Sequence, residues 1–230
     1  MPDGKTSHHH EPVSNAVGRN NPWEQIYLER GRVFAGVHEE TERIVRLLND
    51  RQAKRVLDLG CGTGRHLVHF ARSGFSVHGL DASPEATRLA REWLGSEGLQ
   101  ADVRLQDIYG PLPYPDAFFD AVISVQVIHH ARIAAIRRLG GEIARVLKPG
   151  GFVFVTVPAA QDQASRFEEI EPGTFIPLDG PEQGLPHHYF TVDELRQLFE
   201  GFDVDDVHVD SLRHFCLSAF KTRALPRIVR

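Results

Sequence analysis

Val56-Leu57-Asp58-Leu59-Gly60-Cys61-Gly62-Thr63-Gly64-Arg65 runs from an apolar strand into an acid-flanked loop of alternating glycines and on into a helix. Glycine at such positions lets the backbone turn sharply and approach a ligand closely. The N-terminus of the following helix offers unpaired N–H groups and a positive dipole end. The pattern suits a pyrophosphate or an amino-acid carboxylate. A Gly-x-Gly alone is weak evidence, and its place after the first strand of a βα series strengthens it.

Downstream, short β-rich runs alternate with amphipathic helices, the pattern of βαβ units around a parallel sheet. Strands are expected at 55–59, 75–80, 101–105, 120–125 and 151–157. Between the second and third, Ser83-Pro84 provides an N-cap followed by proline at N1. Ile136, Leu139, Ile143 and Leu147 share one face of a helix that stops at Lys148-Pro149-Gly150-Gly151. Thr191-Val192-Asp193-Glu194 is a capping box. Two late apolar runs, 202–209 and 213–220, read as an antiparallel pair at the sheet edge.

Three successive strands end in acids: Asp58, Asp81 (in Gly79-Leu80-Asp81-Ala82-Ser83) and Asp107 (in Leu105-Gln106-Asp107-Ile108). In a parallel sheet these ends lie along one edge, where ligands bind. An acid at the position of Asp81 commonly accepts from ribose hydroxyls. A nicotinamide dinucleotide is the rival cofactor. Its fingerprint wants a third glycine where this chain has Arg65, and Asp58 would set a negative charge against the pyrophosphate.

These motifs resemble the class I S-adenosylmethionine-dependent methyltransferases. The resemblance spans roughly 50–220 and also rests on Phe119-Asp120-Ala121-Val122-Ile123-Ser124 and Arg145-Val146-Leu147-Lys148-Pro149-Gly150-Gly151. It implies an α/β, Rossmann-like, doubly wound seven-stranded sheet, mostly parallel with the last strand antiparallel. S-adenosyl-L-methionine is the implied cofactor. Gly60, Cys61, Gly62 and Gly64 would form the loop beneath its methionine part, with Asp58 behind them holding the amino group. Asp81 would bind the ribose, Ala82 and Ser83 would lie beside the adenine, and Asp107 and Ile108 would contact the adenine ring. Gln126 would line the methionine side.

The methyl acceptor is read from the residues after the fourth strand, Ser124-Val125-Gln126-Val127-Ile128-His129-His130. The Asn/Asp-Pro-Pro-aromatic tetrad of branches that methylate adenine or glutamine nitrogen is missing here. Neither Cys61 nor Cys216 fits the nucleophile of the RNA cytosine-C5 branch. The chain has 26 Lys and Arg against 31 Asp and Glu, a net charge of −5, which disfavours nucleic acid. The pattern is similar to the small-molecule branch that includes ubiquinone/menaquinone-type and tellurite- or thiopurine-type enzymes. The expectation is in-line methyl transfer to a small molecule. The alternatives are an RNA (tRNA) or protein methyltransferase, and a cofactor-binding regulator without activity.

His129, His130 and Tyr27 are candidate catalytic residues, since imidazole exchanges protons near neutral pH and Tyr27 stands four residues from Trp23 on an N-terminal helix. The reading against this is core packing and helix capping. His187, His188 and Tyr189 are candidate acceptor contacts at the end of a Pro-rich insertion, 158–190, expected to cover the substrate side. No metal is expected, because adjacent histidines point apart and would need a third ligand such as Glu182. The expected organisation is a flexible arm at 1–20, a helical cap at 21–50, the methyltransferase domain at 51–220 and a basic tail at 221–230. No apolar run is long enough to span a bilayer and two cysteines form no disulfide framework, so a cytoplasmic location is expected. No oligomeric state is assigned.

Overall fold

The computed structural model describes residues 21–34, 36–159 and 166–223. The arm at 1–20 and the tail from 224 onward lie outside the described residues. β1 (Arg55–Leu59), β2 (Ser76–Asp81), β3 (Asp102–Leu105), β4 (Phe119–Val125) and β5 (Leu147–Pro158) pair in parallel. β9 (Phe202–Val209) and β10 (His214–Lys221) complete a seven-stranded sheet of order β3-β2-β1-β4-β5-β10-β9. β10 is antiparallel to both neighbours, as the family resemblance implies for the last strand.

Alternation along the strands sends successive side chains to opposite faces. Val56 therefore joins one core and Leu57 the other. α2 (Thr41–Asp50), α3 (Arg65–Arg72) and α4 (Pro84–Ser96) cover the Val56 face with Ile44, Leu48, Leu67, Phe70 and Leu94. α5 (Ile133–Val146) and α6 (Val192–Leu198) cover the other with Ile136, Leu139, Ile143 and Leu195. Strand β1 has β2 on one side and β4 on the other. Connections diverge there, opening a crevice beyond the carboxyl ends of β1 and β4.

The sequence reading of 158–190 as a covering loop needs more structure than a loop. Its described part contains a separate three-stranded sheet of β6 (Phe167–Glu171), β7 (Thr174–Pro177) and β8 (His187–His188). Lys221, taken as the start of a basic tail, instead ends β10. Its ammonium donates to the carbonyls of Ala144 and Leu147 at 2.7 and 2.9 Å. α1 (Pro22–Arg30) starts at Asn21, whose side chain accepts from the Trp23 amide at 3.0 Å. No helix among the described residues is long and apolar enough to cross a membrane.

Candidate active site

The glycine loop leaves β1 beneath β2. The Gly60 and Cys61 amides donate to the Leu80 carbonyl at 2.8 and 2.9 Å, and the Gly62 amide donates to Asp81 Oδ2 at 2.8 Å. Gly60 has φ of +76°, and a Cβ there would lie 2.4 Å from Val127 Cγ1. Only glycine meets both constraints. At the end of β4, Gln126 itself adopts a positive φ of 61°. Its amide and its side-chain Nε2 both donate to Thr156 Oγ1 at 3.0 Å, which holds this strained residue at the crevice.

Asp81 accepts from the Ser83 amide through its other oxygen at 2.9 Å. Burial pushes its carboxyl upward, and the Ser83 and Gly62 amides pull the other way. Asp58 lies behind the loop, 2 % exposed. Burial pushes its pKa up to about 7, against the opposing pull of Arg65. Its Oδ2 has no hydrogen-bond partner. Asp107 accepts from the Tyr109 amide at 2.9 Å, and the Tyr109 hydroxyl donates to the Val127 carbonyl at 3.1 Å.

Above these strand ends lies one chamber of about 1030 Å³. Gly60, Cys61, Gly62, Asp81, Ala82, Asp107, Ile108 and Gln126 line its floor. Tyr27, His129, His130, His187 and Tyr189 line the rest, together with Trp23 and Glu182. Four other sequence-derived candidates do not line it, Asp58 among them because it is buried behind the loop. Gly64 starts α3, and a Cβ there would meet the Ala90 backbone at 3.1 Å, so its smallness serves the packing of α3 on α4. Ser83 is fully buried and caps α4, accepting from the Ala86 amide at 2.9 Å. His188 points to the opposite side of β8 from His187, where its Nδ1 lies 2.8 Å from the Thr174 hydroxyl.

Tyr27 sits over the loop, its hydroxyl 2.9 Å from where a Gly62 Cβ would be. Burial first, and then the charge of Asp81, pushes the phenol well above its ordinary value, so it stays a donor. Burial likewise holds His129 and His130 well below the usual imidazole value, with neighbouring histidines adding to the effect. Both rings are therefore neutral near pH 7. Burial also lowers His187, to about 4.

Other residues of the site carry little signal in the sequence. Glu24 is buried and accepts from the Ser83 hydroxyl and, at 3.0 Å, from the Glu85 amide. It thereby docks α1 on the N-terminus of α4 and carries Trp23 and Tyr27 to the chamber. Asp210 accepts at Oδ2 from His38 and His214 rings at 3.0 and 2.9 Å, fastening the segment before α2 to the β9–β10 turn. An acid in a helix's first turn and an Asp-Ser turn are common in any protein, so neither marks a site by itself.

The chain's own groups fit a ligand with an amino-acid end and a nucleoside end. The glycine cradle that a Cβ would fill and the strand-end acids Asp81 and Asp107 succeed one another along the crevice, with the unpaired Asp58 oxygen buried behind the cradle.

Residues 56–151 match the family model described as a methyltransferase domain. The ubiquinone biosynthesis O-methyltransferase of Xylella fastidiosa (strain 9a5c) is 37 % identical over 102 residues, covering 44 % of this chain and 41 % of that protein. The probable tRNA methyltransferase 9B of Bos taurus is 32 % identical over 189 residues, covering 71 % of this chain and 39 % of that protein. The chain thus spans about two fifths of these curated relatives. A solved SAM-dependent methyltransferase from Methanosarcina mazei superposes with a TM-score of 0.63 at 26 % identity, covering 74 % of this chain and 93 % of that one. Sheet order, glycine cradle and matched domain agree: the chain belongs to the class I S-adenosylmethionine-dependent methyltransferases, whose cofactor is S-adenosyl-L-methionine.

Proposed function

We propose that this protein transfers a methyl group from S-adenosylmethionine to a small-molecule acceptor held between α1 and the β6–β8 cover. The observation that carries this reading is the chamber. Its volume of about 1030 Å³ is that of a generous small-molecule site. Its far walls are aromatic and imidazole side chains rather than a basic groove.

Bound S-adenosylmethionine supplies an electrophilic methyl group for in-line displacement. The chain's residues bind and orient. Asp58 holds the amino end, Asp81 accepts from the ribose hydroxyls, and Asp107 with the Ile108 backbone faces the base. Gln126 lines the floor where acceptor and donor meet. Tyr27 donates from above the loop, while neutral His129 and His130 accept a hydrogen bond from an acceptor O–H or N–H. His187 and Tyr189 form the wall on the cover side. Holding the acceptor in line in a site that excludes water supplies most of such a rate effect.

A tRNA acceptor is the second reading, favoured by one observation. The Bos taurus relative, described as a probable tRNA methyltransferase, aligns over 71 % of this chain. The two readings separate in one assay. Purified protein is incubated with methyl-labelled cofactor and a panel of phenols, amines, thiols and unmodified tRNA. Label is expected in a small molecule and not in tRNA. Label in tRNA alone contradicts the proposal.

A further inference from the structure

Within the chamber, the segment after β4 and the strand β8 bring three imidazoles together. One ligand nitrogen from each of His129, His130 and His187 lies within 4.8 Å of the others. A fourth group faces them. The Glu182 carboxylate lies 3.6 Å from His130 Nε2 through one oxygen and 3.6 Å from His187 Nε2 through the other. These separations are too long for hydrogen bonds. These two contacts match a different geometry, toward which the imidazole nitrogens, within 4.8 Å of one another, would draw in around an ion. Two donors each about 2.0–2.2 Å from a tetrahedral ion stand roughly 3.3–3.6 Å apart.

Two buried nitrogens of this group, His129 Nδ1 and His187 Nε2, have no hydrogen-bond partner. Buried polar atoms are normally satisfied, and leaving one without a partner is costly. The backbone makes the juxtaposition rigid, since the His188 amide donates to the His129 carbonyl at 2.8 Å. Among the described residues a second group of potential ligands, His38, Asp210 and Cys216, contrasts with it. There His38 Nε2 and Asp210 Oδ2 already bind each other at 3.0 Å.

We propose that His129, His130, His187 and Glu182 form a binding site for a divalent transition-metal ion of the zinc type. Three imidazoles with one carboxylate are a nitrogen-rich, borderline donor set. It suits zinc and its first-row neighbours and disfavours magnesium and calcium, which take oxygen shells. The site goes beyond methyl transfer: with the ion bound, the acceptor nitrogens of His129 and His130 bind it in place of an acceptor O–H or N–H. All four residues line the chamber, so a molecule held there reaches the ion.

The test uses the full chain with His8→Ser, His9→Ser and His10→Ser, which removes the N-terminal histidine run as a competing ligand. After stripping with chelator, the protein is titrated with zinc alone in competition with a chromophoric chelator, and separately with cobalt. About one zinc per chain is expected, with visible cobalt absorption of low-coordinate nitrogen ligation. His187→Ala is expected to weaken zinc binding by at least about 100-fold, and Glu182→Gln by about 10-fold or more, on the scale that even outer-shell losses reach. Should His187→Ala misfold, Glu182→Gln and the cobalt spectrum of the parent carry the test. Zinc binding that vanishes with the N-terminal histidines, equals the parent in both variants, or never reaches one equivalent overturns the site. A protein that binds S-adenosylmethionine yet no metal overturns this inference and leaves the methyl-transfer reading standing.

Discussion

At the scale of single residues, the proposed function gives Asp58 and Gly60 the largest share in fitting the crevice to its cofactor. Asp58 is a buried acid whose pKa is pushed up to about 7 from 3.8. Such a group favours the fold while it is neutral, and that contribution is lost as pH rises from the ordinary carboxylate range through about 7. A bound ammonium reverses the preference by stabilising the carboxylate. Cofactor-induced thermal stabilisation is therefore expected to grow between about pH 6 and about pH 8, and Asp58→Asn to flatten that dependence. A differential scanning measurement at both pH values reads it. At Gly60, Val127 Cγ1 lies 2.4 Å from where a Cβ would stand, so Gly60→Ala forces the loop away from the segment after β4. A stability loss of about 1–3 kcal/mol in denaturant is expected, together with cofactor affinity reduced below detection by calorimetry.

At the scale of elements, α1 is docked on α4 through Glu24. Its carboxylate accepts from the Ser83 hydroxyl and the Glu85 amide at the start of α4. Negative charge there also meets the positive end of the helix dipole. Glu24→Ala is expected to cost about 1.5–3 kcal/mol in urea unfolding, the scale of charge-assisted hydrogen bonds. It is also expected to change Trp23 fluorescence as that ring loses its position 5.5 Å from Tyr27. An unchanged midpoint would show that α1 docks by its apolar face alone. Local rules in the sequence mark the parallel strands closely, because β-rich runs ending in acids and the capping pairs at Ser83 and Thr191 are decided within a few residues. They do not reveal β6, β7 and β8. That sheet pairs Phe167 with Pro177 and Thr174 with His188 across a segment whose prolines and glycines read as loop. Nor do they reveal the Glu24 docking contact or the Asp210 clasp, whose partners lie far along the chain.

At the scale of the whole molecule, the sheet provides the cofactor edge while two appended elements, α1 and the β6–β8 cover, complete the chamber. The glycine loop and the strand-end acids are legible in the sequence because they succeed one another from strand to strand. The gathering of His129, His130, His187 and Glu182 is not, because the sequence pairs Glu182 with both histidines of β8 and strand alternation turns His188 away. The proposed function has cofactor and acceptor served by separate elements, so removing the cover is expected to leave the cofactor edge undisturbed. Replacing residues 166–185 with a short Gly/Ser linker is expected to leave S-adenosylmethionine affinity within about tenfold, or ~1.4 kcal/mol, while methyl transfer is lost. Retained transfer at the original rate would move acceptor selection to α1 and the His129–His130 turn. The cofactor edge itself is tested most directly by calorimetric titration of the full chain and its Asp81→Ala variant with S-adenosylmethionine, S-adenosylhomocysteine and NAD. Both adenosyl ligands are expected to bind the parent and to lose about 1–3 kcal/mol in the variant, with NAD silent in both. Tight NAD binding, or equal affinity of parent and variant for S-adenosylmethionine, would contradict it.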